Sequence, residues 1–177
     1  MPAAHIAEAL ASVDPAVRAA LEEAIQRVRR GSEAQVPAPQ TTGIGPGARI
    51  LQRWQPVSRA GVYIPGGKAP LASSVVMNVV PAQVAGVQSI ALASPPQADC
   101  DGRIHPTILA AAGLLGVTEV YAMGGAGAIG ALAWGWRRSV SIRSTWSQGR
   151  GTTSSRPPSA LSRASSARTR RRERPRS

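Results

Sequence analysis

The chain has 177 residues, 43% of them hydrophobic, which is enough for one domain with a sizeable core. Its single cysteine, Cys100, excludes an internal disulfide. No apolar run is long enough to cross a membrane and no signal peptide is visible, so we expect a soluble, cytoplasmic protein. The net charge of +12 is concentrated in residues 137–177, which hold twelve of the 21 basic residues and one of the nine acidic residues. A basic tail therefore follows a nearly neutral domain.

The first 30 residues predict a helical segment. Asp14 followed by Pro15 is typical of a helix start, with the aspartate as N-cap and the proline at the first helical position. The apolar residues that follow recur every three or four positions and form one face: Val17, Leu21, Ile25 and Val28. We expect this face to contact the core.

Residues 31–58 are rich in proline, glycine and threonine and predict a linker that ends in a strand. The segments 48–57 and 61–64 have strand chemistry and are predicted to pair with each other. Trp54, in the first of these segments, is expected to serve packing and not recognition.

A short apolar strand that contains Tyr63 leads into a turn formed by Gly66 and Gly67. Both glycines permit positive φ and place no side chain in the way of a ligand. Ser73 and Ser74 are candidate N-caps for the apolar helix that follows. A glycine turn before a helix N-terminus can hold an anion such as a phosphate. The same pattern also fits a tight turn with no ligand.

Strands and helices alternate regularly after this turn. Such alternation predicts parallel β-α-β units, and therefore an α/β fold with a Rossmann-like parallel sheet, flanking helices and a partial domain. The predicted elements are a strand at 87–93, a helix at 106–115, a strand at 118–123 and a helix at Gly125–Trp134. The chain thus divides into a helical segment (1–30), a linker and strand (31–58), a partial Rossmann-like domain (59–135) and a basic tail (136–177).

Two glycine pairs follow strands of this predicted sheet. Ligands of such sheets lie at the carboxyl ends of the strands, where we expect both Gly66-Gly67 and Gly124-Gly125. Residues 125–130 also match the pattern G-x-G-x-x-G after a strand. The acidic residue expected about 20 positions later is absent, which counts against a dinucleotide-binding protein of another specificity.

This chain resembles histidinol dehydrogenases in a series of motifs that keep the order of that family. Its strand and turn read Tyr-Ile-Pro-Gly-Gly at 63–67, and Ser-Ser-Val-Val-Met-Asn-Val-Val-Pro-Ala-Gln follows at 73–83, as in the family's central motif. Further matching segments lie at 93–97, 105–111, 124–126 and 131–133. The resemblance covers roughly residues 11–135.

The resemblance implies NAD-dependent oxidation of the substrate L-histidinol to L-histidine, in histidine biosynthesis, by a homodimer that also uses zinc. It assigns cofactor binding to Tyr63, which matches the family's NAD-contacting tyrosine, and to the turn of Gly66 and Gly67. No catalytic or metal-binding residue is carried over, because the family's zinc ligands and Glu-His acid/base pair lie beyond residues 1–135. Gly127 replaces a glutamine that contacts NAD in the family, so that contact is not carried over either. We therefore expect a fragment that starts late in the family sequence and is inactive by itself.

Potential metal ligands are scattered along the chain. His5, Cys100 and His105 do not have the spacing of a zinc site, which needs several ligands converging on one point. Because His105 precedes Pro106 at a predicted helix start, capping or a surface position is the better interpretation.

Residues 136–177 show neither helical nor strand periodicity and are dominated by Arg, Ser, Thr and Pro, so we expect a disordered tail. One interpretation is an arm that binds nucleic acid nonspecifically through phosphate contacts. The other interpretation is a frameshift near Gly135 or Trp136. Joining the last base of each codon to the first two bases of the next, with permitted codons, turns residues 140–161 into VDPVDVVTGPGNNFVAAAKRA. That string resembles the histidinol dehydrogenase sequence expected there.

Overall fold

The computed structural model describes residues 1–66 and 69–135, together with the backbone of residues 146–149. Its helices are α1 (Ala3–Ser12), α2 (Pro15–Glu33), α3 (Ala72–Val84), α4 (Pro106–Leu114) and α5 (Gly125–Trp134). Its strands are β1 (Gln40–Gly45), β2 (Ala48–Gln52), β3 (Arg59–Tyr63), β4 (Ser89–Ser94), β5 (Glu119–Ala122) and β6 (Trp146–Gly149). None of the described helices is both long and apolar enough to span a membrane.

The main sheet has the strand order β5-β4-β3-β6, and every neighbouring pair in it is parallel. Counted along the chain from β3, this order is 3-2-1-4, which is the order of the first strands of a doubly wound Rossmann sheet. The sheet confirms the predicted α/β, Rossmann-like fold. The strand order reverses between β3 and β6.

The fourth strand lies inside the segment that we predicted to be disordered. β6 covers Trp146–Gly149 and pairs with β3, so the prediction of disorder is wrong for these four residues. The strand ladder uses main-chain N–H and C=O groups, which a sequence without strand periodicity still supplies. The rest of residues 136–177 lies outside the part of the chain that the structure describes.

Helices cover both faces of the sheet. Because side chains of a strand alternate between faces, Val62, Leu92 and Val120 point to one face. There they join a core built with residues of α1, α2, α3 and α4. Ala91 and Ala93 point to the other face, where they pack against Ala128 and Leu132 of α5.

The start of α2 agrees with the prediction. Asp14 is its N-cap, and a carboxylate oxygen accepts hydrogen bonds from the backbone N–H groups of Ala16 and Val17 at 2.8 and 3.2 Å. Three residues of the predicted apolar face contact the core: Leu21, Ile25 and Val28. Val17, in the first turn of the helix, is 39% exposed and is not part of this core.

The hairpin of β1 and β2 differs from the prediction. We expected 48–57 to pair with 61–64, but β2 pairs antiparallel with β1, which lies within the predicted linker. All residues of both strands are exposed. Trp54 is 61% exposed, so its predicted packing role is wrong for the described part of the chain. The strand at 59–63 is β3. It pairs in parallel with β4 and β6, inside the sheet that the helices cover.

Candidate functional site

Tyr63 stands at the point where the strand order reverses. It is the last residue of β3, and the sheet register places it opposite Ala93 of β4 on one side and Gly149 of β6 on the other. In open α/β sheets, ligands bind outside the carboxyl ends of the strands at such a reversal point. The predicted site residue Tyr63 therefore lies where the fold itself favours a ligand.

The side chain of Tyr63 joins β3 to α5. Its hydroxyl oxygen accepts a hydrogen bond from the backbone N–H of Gly125 at 3.1 Å. Its ring packs against the small core formed by Ala91, Ala93 and residues of α5. Gly125 has a φ of +68°, and no neighbouring atom lies within 4 Å of the position that a Cβ would occupy. The backbone at the start of α5 is therefore open to a ligand at this point.

Gly66 lies close to Tyr63, but the reason for a glycine there differs from the prediction. Its φ is not among the positive values of the described glycines, so Gly66 does not use the positive φ that a glycine permits. A Cβ on Gly66 would lie 2.9 Å from Cγ of Pro95, closer than real Cβ atoms approach. Close packing against the proline excludes a side chain. Gly67, the third predicted cofactor residue, lies outside the described residues.

The start of α3 also differs from the prediction. Leu71 occupies the N-cap position and provides no side-chain hydrogen bond, and α3 begins at Ala72. Ser73 and Ser74, the predicted caps, lie inside the helix, and Ser74 is buried. The backbone carbonyl of Ser74 accepts a hydrogen bond from the side-chain amide of Asn78 at 2.7 Å. Among the described residues, no side chain caps the N-terminal N–H groups of α3, which follow the glycine turn.

Sequence reasoning missed the residues at the end of β4. Ser94 is fully buried, and its hydroxyl has no hydrogen-bond partner in the described structure. Pro95 follows it and contacts the loops after both β3 and β5, since a Cβ on Gly124 would also lie 2.8 Å from Cβ of Pro95. The sequence marked this region only as the family-like segment 93–97, in which two prolines follow a buried strand.

Charged residues gather at the opposite, amino end of the sheet. One guanidinium nitrogen of Arg59 donates to Glu119 at 2.9 Å and to the hydroxyl of Ser89 at 2.8 Å. The hydroxyl of Tyr121 donates to the same carboxylate at 3.2 Å. The hydrogen bond from Arg59 lowers the pKa of Glu119, and burial raises the pKa of Tyr121. This network ties β3, β4 and β5 together, away from the candidate site.

The scattered metal ligands do not converge. His105 is the N-cap of α4, and its Nδ1 accepts a hydrogen bond from the backbone N–H of Thr107 at 3.2 Å, which confirms the capping interpretation. Burial and the neighbouring Asp99 raise the pKa of the Cys100 thiol, which makes it a poor nucleophile. Within the residues that the structure describes, no three His, Cys, Asp or Glu side chains could hold a metal ion.

The G-x-G-x-x-G pattern has only part of the expected geometry. Gly125 begins α5, as the pattern requires. In a dinucleotide fingerprint the third glycine allows close packing of helix against strand. No neighbouring atom lies within 4 Å of a Cβ placed on Gly127 or Gly130, so neither glycine is required by packing. The structure gives no support to a dinucleotide-binding protein of another specificity.

Known proteins resemble this chain over most of its length. The histidinol dehydrogenase family model matches residues 1–145. The histidinol dehydrogenase of Leifsonia xyli subsp. xyli is 69% identical over 135 residues, which are 76% of this chain and 31% of that protein. For the enzyme of Nocardia farcinica the identity is 58%, with 76% and 30% covered.

A solved structure supports the same relationship. The histidinol dehydrogenase of Elizabethkingia anophelis superposes with a TM-score of 0.78 at 32% identity, over 86% of this chain and 34% of that one. The chain thus spans about a third of the length of these relatives. From the match of sequence and fold together, the chain belongs to the histidinol dehydrogenase family.

Proposed function

We propose that this chain provides the NAD-binding portion of a histidinol dehydrogenase, which oxidises L-histidinol to L-histidine in histidine biosynthesis. The hydrogen bond between the Tyr63 hydroxyl and the Gly125 N–H, beside the reversal of strand order, is the observation that carries this proposal. This chain spans about a third of the length of its relatives. We therefore propose the complete reaction, the substrate L-histidinol, the homodimer and the cytoplasmic location for the intact family protein.

The residues present fit a dinucleotide. The open backbone around Gly125 allows a ligand to approach the first turn of α5, whose N-cap, Gly124, contributes no side chain. Tyr63 offers a ring face and a hydroxyl beside this turn, and Gly66 adds a loop without a side chain. In this proposal, these residues bind and orient the cofactor. NAD, when bound, accepts the hydride that leaves the alcohol.

The residues present do not fit a zinc site. The described part of the chain contains no group of three His, Cys, Asp or Glu side chains that could hold a metal ion. His105 is engaged as a helix cap through Nδ1. We therefore assign neither zinc binding nor proton transfer to these residues, and the proposed role is limited to binding the cofactor.

Calorimetric titration of the 177-residue chain with NAD tests this proposal. We expect saturable binding that is weakened in Gly125→Val, because a β-branched residue does not readily adopt a φ of +68°. The matched control is Gly130→Ala, which adds a methyl group to the same helix where no neighbouring atom lies within 4 Å. Failure of the unmodified chain to bind NAD, or equal binding by both variants, would contradict the proposal.

The alternative function, nucleic-acid binding through the arginine-rich tail, has no support. The arginines concerned lie in residues 137–177, outside the described side chains. The reported relatives are all named histidinol dehydrogenase.

A further inference from the structure

We propose that Pro95 is a positioning residue that sets the distance between the two loops of the cofactor site. This inference rests on the proposed function for its consequence, but not for its geometry. Pro95 is half-buried and immediately follows β4, the strand between β3 and β5. The loops after β3 and β5 both contact its ring, although they belong to strands that are not neighbours.

The space that a side chain would have at each glycine shows how close the loops lie to the ring. A Cβ on Gly66 would lie 2.9 Å from Cγ of Pro95 and 3.3 Å from its Cβ and Cδ. A Cβ on Gly124 would lie 2.8 Å from Cβ of Pro95, 3.0 Å from its Cγ and 3.4 Å from its Cα. Neither glycine therefore has room for a side chain on the side that faces the ring of Pro95.

Backbone hydrogen bonds hold the two loops against the end of β4. The N–H of Ile64 donates to the carbonyl of Ala93 at 2.8 Å, and the N–H of Met123 donates to the carbonyl of Ser94 at 3.0 Å. These bonds attach both loops to the residues just before Pro95. Because a proline ring is rigid and has a fixed φ, it keeps a constant thickness between the loops. Its removal should let Gly66 and the start of α5 move relative to each other.

The contacts differ in a way that an experiment can use. The atom of Pro95 nearest to a Cβ on Gly66 is Cγ, whereas the atom nearest to a Cβ on Gly124 is Cβ. Pro95→Ala removes Cγ and Cδ but keeps Cβ. The smaller residue should therefore make room for Gly66→Ala, whose nearest remaining contact is 3.3 Å, but not for Gly124→Ala, whose contact at 2.8 Å persists.

The test measures NAD affinity by calorimetry and, without NAD, the amide chemical shift of Gly125 by NMR. We expect Pro95→Ala to weaken NAD binding about tenfold and to move the Gly125 signal, since small displacements in a binding site are costly. Pro96→Ala, at the exposed neighbouring proline, is the matched control and should change neither. Gly66→Ala should lose more affinity than Gly66→Ala/Pro95→Ala, whereas Gly124→Ala should not be rescued by Pro95→Ala.

The outcomes distinguish failure of this inference from failure of the proposed function. A purely structural role would lower the melting temperature with the NAD affinity and the Gly125 signal unchanged, and that result would overturn the inference. Equal rescue of both glycine variants would also overturn it. If the unmodified chain does not bind NAD, the proposed function fails, and the Gly125 signal alone decides the role of Pro95. If Pro95→Ala does not fold, Pro95→Val, which retains γ carbons, replaces it and should give a smaller shift in the same direction.

Discussion

The hydroxyl of Tyr63 and the backbone N–H of Gly125 are hydrogen-bonded at 3.1 Å, although 62 residues separate them in the sequence. The bond links the end of β3 to the start of α5, past β4, which lies between β3 and β5. Because Gly125 is exposed, a ligand can reach the same helix turn. The bond therefore couples the position of the tyrosine to that of the helix at the proposed cofactor site.

Tyr63→Phe should separate binding from stability. The ring keeps its packing against Ala91 and Ala93, and water can bind the exposed Gly125 N–H. We therefore expect a loss of less than about 1 kcal/mol in the free energy of unfolding. NAD affinity should fall about fivefold, because a hydrogen bond that orients the site is worth about 1 kcal/mol. Calorimetry and urea denaturation measure the two effects. Unchanged affinity would remove Tyr63 from the site.

The cap of α4 should be measurable by substitution. His105→Ala removes the Nδ1 acceptor for the Thr107 N–H and should cost about 1 kcal/mol in the free energy of unfolding. His105→Asn supplies a preferred cap and should retain or exceed the original stability. Urea denaturation of both variants decides the point. Equal loss in both variants would mean that His105 stabilises the chain by packing and not as a cap.

The Arg59–Glu119 pair should make stability depend on acid pH. The hydrogen bond from Arg59 lowers the pKa of Glu119 in the folded chain below its unfolded value of about 4.3. The contribution is thus complete above the unfolded pKa and is lost as pH falls through the folded pKa. The side chains are 20% and 36% exposed, so solvent limits the effect at pH 7 to about 1 kcal/mol.

Glu119→Gln measures this contribution directly. The free energy of unfolding of the variant should lie below that of the unmodified chain at pH 7, and the two curves should converge in acid. Glu22→Gln is the matched control, because Glu22 pairs with Arg18 on the exposed face of α2 and should contribute less. Parallel curves for Glu119→Gln and the unmodified chain from pH 7 to pH 3 would contradict the assignment.

The local elements of this fold could be predicted because the deciding signals are local. Asp14 and His105 cap their helices through side chains that reach only a few residues along the chain. The helix Gly125–Trp134 has the predicted bounds, because Gly124 is its N-cap and Gly135 ends it with positive φ. The alternation of these elements was sufficient to predict the parallel sheet.

Features that depend on distant partners could not be predicted. The segment at β2 could pair with β1 or with the strand at 61–64, and the local sequence does not distinguish these partners. The role of Gly66 depends on Pro95, which no local pattern connects with it. β6 forms from a sequence with neither alternation nor a run of apolar residues, so only the open edge of β3 indicates where it pairs. The candidate site could therefore be predicted from its family motif and a glycine turn. The way its residues pack against each other could not be predicted.

The chain as it stands should not oxidise histidinol. Removing a hydride from the alcohol also requires a base that takes the hydroxyl proton, and arginine is a poor base because it stays protonated. The described residues place neither a metal cluster nor an unengaged histidine beside Tyr63. We expect no NADH, measured at 340 nm by absorbance, from the purified chain with histidinol, NAD and zinc. Zinc-dependent turnover would overturn this expectation.

The final prediction concerns the reading frame after Gly135. In the shifted frame, the positions of β6 read Val-Val-Thr-Gly in place of Trp-Ser-Gln-Gly. Valine and threonine are β-branched and favour strands, whereas the present residues include serine and glutamine, which do not. A chain with the shifted sequence over 136–177 should therefore have a higher melting temperature than the present chain.

A local variant tests the same idea without the rest of the tail. Trp146→Val/Ser147→Val/Gln148→Thr changes only the strand and should stabilise the chain by about 1 kcal/mol, because strand preferences span about that range. The control Ser154→Val/Ser155→Val/Ser159→Thr introduces the same three residue types outside β6 and should not stabilise the chain. Sequencing the coding DNA around codons 135 and 136 then decides the origin of the tail. An unbroken frame, with no gain in stability from either altered chain, would show that the present tail is the native partner of β3.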